Sequence, residues 1–319
     1  MKVSIFKSAA FAALLLIGFT SCKDDDNTTT GNVAFEVTDG PIDDTNIEGV
    51  FVTVASVKVD GEQISDFNGK QTIDLMAYQN GQTKTLGGAD LSAGVYSDIR
   101  LVLDYDQDAS GNTPGTYVLT KDGVKHALKA GASASSEIKV NAATLDVPSS
   151  GDVTAVIDFD LRKSVRYNSG STTSDYQFVT DSELAASTRL AMKSRSGTIK
   201  GQVTDALNLS GDKVVVYVYE KGTFTSAETT PQGSSGVMFK NAVTSAVTDS
   251  NGNYNLSYLE AGDYELHYVA YDDTDNNSQL EEKGMLVLTV LNGLNLNAIT
   301  VGAGATVQLN VTVASILPL

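Results

Sequence analysis

The sequence predicts an all-β chain of two tandem β-sandwiches, and three observations predict it. From Val33 onward apolar residues recur at every second position, the period of a strand and not of a helix. Turn-forming pairs punctuate these runs at Asp60-Gly61, Asn80-Gly81, Asp122-Gly123, Asn251-Gly252 and Ala261-Gly262. No long amphipathic helical pattern occurs; Leu75–Gln79 and Ser182–Thr188 are expected to form single turns.

The elements follow in order. Val33, Phe35 and Val37 alternate with Ala34, Glu36 and Thr38. Along 50–59 the apolar phase slips near Ala55-Ser56, which predicts a β-bulge. Ile99, Leu101, Leu103 and Tyr105 share a face opposite Asp98, Arg100, Val102 and Asp104. Val153, Ala155, Ile157, Phe159 and Leu161 stand opposite Asp152, Thr154, Val156, Asp158 and Asp160. Each of these is expected to bury one face and wet the other. In the second half, Val214, Val216 and Val218 face away from Val215, Tyr217 and Tyr219. Tyr264, Leu266 and Tyr268 alternate with Glu265, His267 and Val269, and 307–313 supplies a last strand. Leu91–Tyr96 and Leu259–Tyr264 share the pattern Leu-x-Ala-Gly-x-Tyr. In each, the Tyr is expected to bury its ring while its hydroxyl finds a partner at the sheet end. The repetition points to two related sandwiches, divided at the polar break 193–196.

The N-terminus has a different character. Lys2 and Lys7 precede an apolar run over 9–19, and Ser21-Cys22 follows. This is the layout of a secretory signal, too short for a transmembrane helix. The chain's one cysteine stands at the cleavage point, which resembles a bacterial lipobox in which Cys22 is lipidated. Asp24-Asp25-Asp26 and a polar tract complete a solvated tether and resemble an acidic export signal of outer-face lipoproteins. The expected organisation is signal peptide 1–21, lipidated tether 22–31, first sandwich 32–193 and second sandwich 197–313. The expected location is the outer membrane, with the chain exposed at the surface and held to the membrane by its lipid anchor.

Composition restricts function. The 319 residues carry 22 basic and 39 acidic side chains, a net charge of −17, which argues against nucleic acid as a partner. Two histidines, His126 and His267, and no Gly-x-Ser-x-Gly elbow leave a nucleophilic triad poorly supported, so no enzyme is expected. No cofactor is expected, and calcium is the ion to consider. Asp104, Asp106 and Asp108 place carboxylates at alternate positions, and Asp273 and Asp275 lie in a second dense cluster. Neither cluster has EF-hand spacing, and Asp-rich turns that cap their own backbone are the plainer reading. For a ligand, Tyr217, Tyr219, His267 and Tyr271 lie in phase opposite core-like faces and beside carboxylates. Flat rings there suit stacking on a glycan, unless a loop or the other sandwich covers both faces.

The segments Val37–Asp44, Val52–Val57, Leu91–Tyr96 and Asp158-Phe159-Asp160-Leu161-Arg162-Lys163-Ser164 resemble Domain of Unknown Function 4382, found in bacterial lipoproteins. The blocks Gly197–Asp205, Val214–Tyr219, Thr248–Tyr254 and Leu259–Tyr264 resemble a carboxypeptidase regulatory-like domain, of the starch-binding-like and transthyretin-like sandwiches. The resemblances imply immunoglobulin-like and transthyretin-like sandwiches, the second without catalysis, while the first supports location and fold. They fit carbohydrate binding or adhesion, with a spacer or envelope scaffold contacting other proteins as the alternative.

Overall fold

A computed structural model describes residues 29–42, 44–67, 69–129, 136–141, 144–168, 175–275, 279–291 and 293–319. Cys22 and the acidic tether lie outside the described residues. The chain is all-β, as its periodicity predicts.

The first half packs two sheets around one core. In one sheet the order is β7-β6-β1-β3, with β1 (Thr30–Gly40), β3 (Lys84–Ser92), β6 (Asp152–Asp160) and β7 (Thr188–Met192). Strands β1 and β6 run parallel, so Val33, Phe35 and Val37 lie beside Val153, Ala155 and Ile157. The facing sheet is centred on β2 (Ile47–Val59), flanked by β4 (Ile99–Leu103) and β5 (Tyr117–Thr120). The register of β2 on β4 shifts between Val54 and Ser56, the bulge that the phase slip predicts. Val33, Phe35, Val50, Val57, Ile99 and Ile157 are fully buried between the sheets.

Strand β6 ends where Asp160 caps the single turn α1 (Leu161–Ser164), accepting from the Lys163 N–H. A second short helix, α2 (Asp181–Ala186), starts with a capping box between Thr180 and Glu183. The three-residue turn Lys193–Arg195 then leads directly into the second half.

There one long sheet curls on itself in the order β10-β9-β12-β13-β14-β8-β11. Its strands are β8 (Ser196–Thr204), β9 (Lys213–Glu220), β10 (Thr244–Val247), β11 (Asn253–Glu260), β12 (Gly262–Asp272), β13 (Glu281–Val290) and β14 (Val311–Leu317). The concave side holds Val214, Val216, Val218, Leu256, Tyr268 and Val311. The opposite face of β9 and β12 is buried too. Val215, Tyr217, Tyr219, Val269 and Tyr271 form a separate cluster with Phe239 and Ala242 from the segment 221–243.

That burial corrects one expectation. Strands 153–161 and 214–219 do not have a wet face: from Ala155 to Asp160 and from Val214 to Tyr219 every side chain is buried. The second half and the segment 221–243 cover them. Both tyrosines of the repeated pattern bond their hydroxyl as expected, but while Tyr264 buries its ring, Tyr96 is only half-buried. Tyr96 Oη donates to Ser92 O at 2.8 Å, and Tyr264 Oη to Glu260 O at 2.7 Å.

Candidate functional site: the seam between the two halves

The polar face of β6 points at the second half, and the residues that follow it supply cations. Asp158 and Asp160 are buried, and each has a counter-ion. Arg189 of β7 reaches Asp158 at 2.6 Å, and Lys163 reaches Asp160 at 3.1 Å, with Arg162 at 3.7 Å. Burial works to raise the Asp160 carboxyl, but Lys163 and Arg162 beside it hold it below the ordinary carboxylate value.

The same cations bind carbonyls of the second half. Arg162 donates to Met238 O at 2.7 Å and to Phe239 O at 3.1 Å, and its guanidinium lies 4.8 Å from the centre of the Tyr217 ring. Lys163 donates to Ala242 O at 3.0 Å, and Arg189 to Tyr258 O at 2.7 Å. Each cation therefore joins a carboxylate of one half to backbone oxygens of the other. Buried charges of this kind persist only where both requirements are met.

Around this ionic centre the seam is closed by hydrogen bonds. Asn80 and Gly81 both have positive φ, at 58° and 84°, the left-handed geometry that an Asn-Gly turn supplies. Their carbonyls accept from Asn255 Nδ2 at 2.8 Å and Tyr258 Oη at 2.6 Å. Glu183 of α2 accepts from the Ser235 hydroxyl at 2.5 Å and from its N–H at 3.1 Å. Burial opposes ionisation of Glu183, but these bonds and those from Thr180 outweigh it and bring the carboxyl down to about 2.

The predicted ligand platform lies beneath this cover. Tyr217, Tyr219 and Tyr271 are at most 1% exposed, so they offer no open stacking face, and this corrects the expectation. Tyr217 Oη and Tyr271 Oη are 2.6 Å apart, and Tyr217 stacks on Phe239 at 4.2 Å. Tyr219 Oη donates to Glu228, which is 1% exposed and also accepts from Asn241 and Gln232. His267 stacks on Phe224 at 3.7 Å, and burial lowers its pKa. The physical reason is the segment 221–243, whose Phe224, Phe239 and Ala242 cover the face. Its composition carries little hydrophobic periodicity, so the cover is not visible as an element in the sequence.

The carboxylate clusters divide. Asp104, Asp106 and Asp108 do not converge on a common point, another correction. Asp104 Oδ1 accepts from the N–H groups of Asp106 and Gln107 at 2.9 Å each, and Lys70 binds its other oxygen at 2.9 Å. Asp108 Oδ1 accepts from the N–H groups of Ser110 and Asn112 at 2.8 Å each. These are Asp-capped turns. Asp273 and Asp275 do approach one another, and Glu281 completes a group whose ligand oxygens lie within 4.8 Å of one another. Glu281 was missed in the sequence because the link is the hairpin pairing of Asp272 with Glu281. His126 lies elsewhere, 3.3 Å from Thr120 Oγ1 and edge-on to Tyr176.

An open groove of about 520 Å³ lies at the end of β8. Gln202, Asp205, Asp212, Lys213, Asp249 and Asn251 line it, with no aromatic side chain.

Fold and seam together define a class of protein: two β-sandwich units, continuous through a three-residue turn and joined by a buried ionic seam. Within it, residues 30–178 match the model of a family described as a domain of unknown function, DUF4382. No curated protein matches the chain. Among solved structures it is similar to the TIE protein of Bacillus anthracis, at 10% identity over 89% of this chain and 34% of that one, with a TM-score of 0.20. It is also similar to BcpA, the major pilin subunit of Bacillus cereus, at 11% identity over 88% of this chain and 69% of that one, with a TM-score of 0.21. A third is GBS52, the minor pilin of Streptococcus agalactiae, at 15% identity over 90% of this chain and 98% of that one, with a TM-score of 0.20. The chain spans about a third of the length of the Bacillus anthracis protein.

Proposed function

We propose that the chain is a non-catalytic surface lipoprotein whose two sandwiches work as one stiff scaffold, displayed at the outer membrane to contact other envelope proteins. The observation that carries this reading is the seam. Arg162, Lys163 and Arg189 are each held at both ends, by a carboxylate in one half and by carbonyls in the other. Such a seam resists the hinge motion that two sandwiches on a short turn would otherwise have. Support for the anchor is the position of Cys22 after the apolar run and before Asp24-Asp25-Asp26. The blocks resembling a carboxypeptidase regulatory-like domain, a module that serves as a spacer, a chaperoning appendage or a sugar binder, are compatible with this reading and with the second one. Carbohydrate binding is the second reading, and the groove at the end of β8 is the place for it: about 520 Å³ is within the size range of ligand sites, and its lining offers hydrogen-bonding groups.

Metabolic palmitate labelling of cells tests the anchor. Label is expected on the wild type and absent from Cys22→Ala, which is expected to leave the membrane fraction. A soluble, unlabelled wild-type product ends the lipoprotein reading. A panel of polysaccharides tests the two readings against each other. The scaffold predicts no retention, whereas retention lost in Lys213→Ala transfers the function to the groove.

A further inference from the structure

A small cavity, of about 20 Å³, lies at the seam. Thr38, Asp39 and Asp158 line it from the first half, and Ser245, Asn255 and Tyr258 from the second. Three side-chain oxygens of its lining are buried and have no hydrogen-bond partner among the described residues: Asp158 Oδ1, Ser245 Oγ and Asn255 Oδ1. Asp158 and Ser245 are each only 4% exposed. Buried polar atoms are almost always paired, so three of them around one cavity call for a ligand.

Their chemistry limits what that ligand is. The other oxygen of Asp158 is bound by Arg189 at 2.6 Å, so its charge is already balanced. The amide nitrogen of Asn255 donates to Asn80 O at 2.8 Å, which fixes the orientation of the amide and leaves Oδ1 as an acceptor. The Thr38 hydroxyl is engaged by Tyr78 O and Gln82 O, at 2.9 and 2.8 Å. The two Asp39 oxygens are engaged as well, by the Leu161 N–H at 3.2 Å and by Gln79 Nε2 at 3.1 Å, so two acceptors and one hydroxyl remain.

We propose that this cavity binds one integral water molecule. It donates to Asp158 Oδ1 and Asn255 Oδ1, accepts from the Ser245 hydroxyl, and so joins the two halves through three hydrogen bonds. The volume holds one water, and three bonds is the usual number for a buried one. A metal cation fits less well, because it needs more oxygens than these three and an anionic charge that Arg189 already neutralises.

The test uses the full chain. A crystal structure with ordered solvent is expected to show a peak about 2.7–3.2 Å from all three oxygens. Magnetic relaxation dispersion of solvent deuterons is expected to detect a long-lived water, and Ser245→Val, which fills the cavity with methyl groups, is expected to remove that contribution. The wild-type measurements decide the matter even if the variant does not fold. Three results overturn the proposal. One is a direct bond from Ser245 to Asp158 with no solvent peak. Another is a dispersion signal unchanged in a folded Ser245→Val. The last is a melting temperature that rises with sodium chloride but not with choline chloride, which would identify a cation.

Discussion

Asp39 shows how far burial alone can move a side chain. It is 6% exposed and lies near Asp160 and Asp158. Burial raises its carboxyl well above the ordinary value, and the two neighbouring acids add to that against the hydrogen bonds from Gln79 and the Leu161 N–H. The folded chain therefore holds a proton at a pH where the unfolded chain has lost it. Stability from this group is complete below the unfolded carboxylate value of about 3.9, and it is lost as the pH rises toward the folded pKa. Asp39→Asn keeps an acceptor for Leu161 and is expected to be more stable than wild type at pH 7, and indistinguishable from it near pH 3. Urea unfolding at both pH values measures the difference. Parallel curves for the two proteins would show that Asp39 ionises freely in the fold. None of this was legible beforehand: Asp39 sits in the polar stretch Thr38–Gly40, which reads as the end of a strand. Tyr217, Tyr219 and Tyr271 were legible only in part. Alternation placed them on one face of their strands, but a period of two distinguishes two faces without saying which is wet.

For single elements the sequence was more informative. The phase slip located the bulge in β2, and Leu-x-Ala-Gly-x-Tyr located two tyrosines with the same hydroxyl-to-carbonyl bond. Both signals are local, so they survive without knowledge of the neighbours. In the run Ile199-Lys200-Gly201-Gln202-Val203 the fold adds a constraint of its own. A Cβ on Gly201 would lie 1.8 Å from Leu309 O and 2.8 Å from Tyr254 Oη. The obstacle is backbone, so it cannot swing aside. Gly201→Ala is expected to cost about 3 kcal/mol, the upper end of the usual overpacking range. Thermal melting measures it, and a loss below about 0.5 kcal/mol would mean that β8 can shift away from the segment before β14. What could not be read from elements was the burial of both faces of β6. Asp158 and Asp160 look like a solvated edge until the cations that meet them are placed, and those come from α1 and from β7, nearly thirty residues later.

In the whole molecule the seam decides whether there are one or two cooperative units. Replacing both Arg162 and Lys163 with Ala leaves Asp160 buried without a counter-ion and frees the carbonyls of Met238, Phe239 and Ala242. Removing one side of a buried pair typically costs about 3–5 kcal/mol. Calorimetry of the wild type is expected to show a single transition, and the double variant two, with the first half melting earlier. Two transitions in the wild type would show that the halves are thermodynamically independent and that the seam is only a contact. The all-β sandwich architecture was legible from the period of two and the turn-forming pairs. Its geometry was not, because a seam is written in residues that are far apart in the chain: Glu183 with Ser235, Asn80 with Asn255, and Arg162 with Phe239.

The covering segment 221–243 also has a consequence for truncation. The carbonyls that cap the three cations, those of Met238, Ala242 and Tyr258 among them, stand at least 46 residues beyond Met192, where β7 ends. A fragment that stops at Met192 would leave Asp158, Asp160 and those cations open to water, so the first half cannot be excised without exchanging protein carbonyls for solvent.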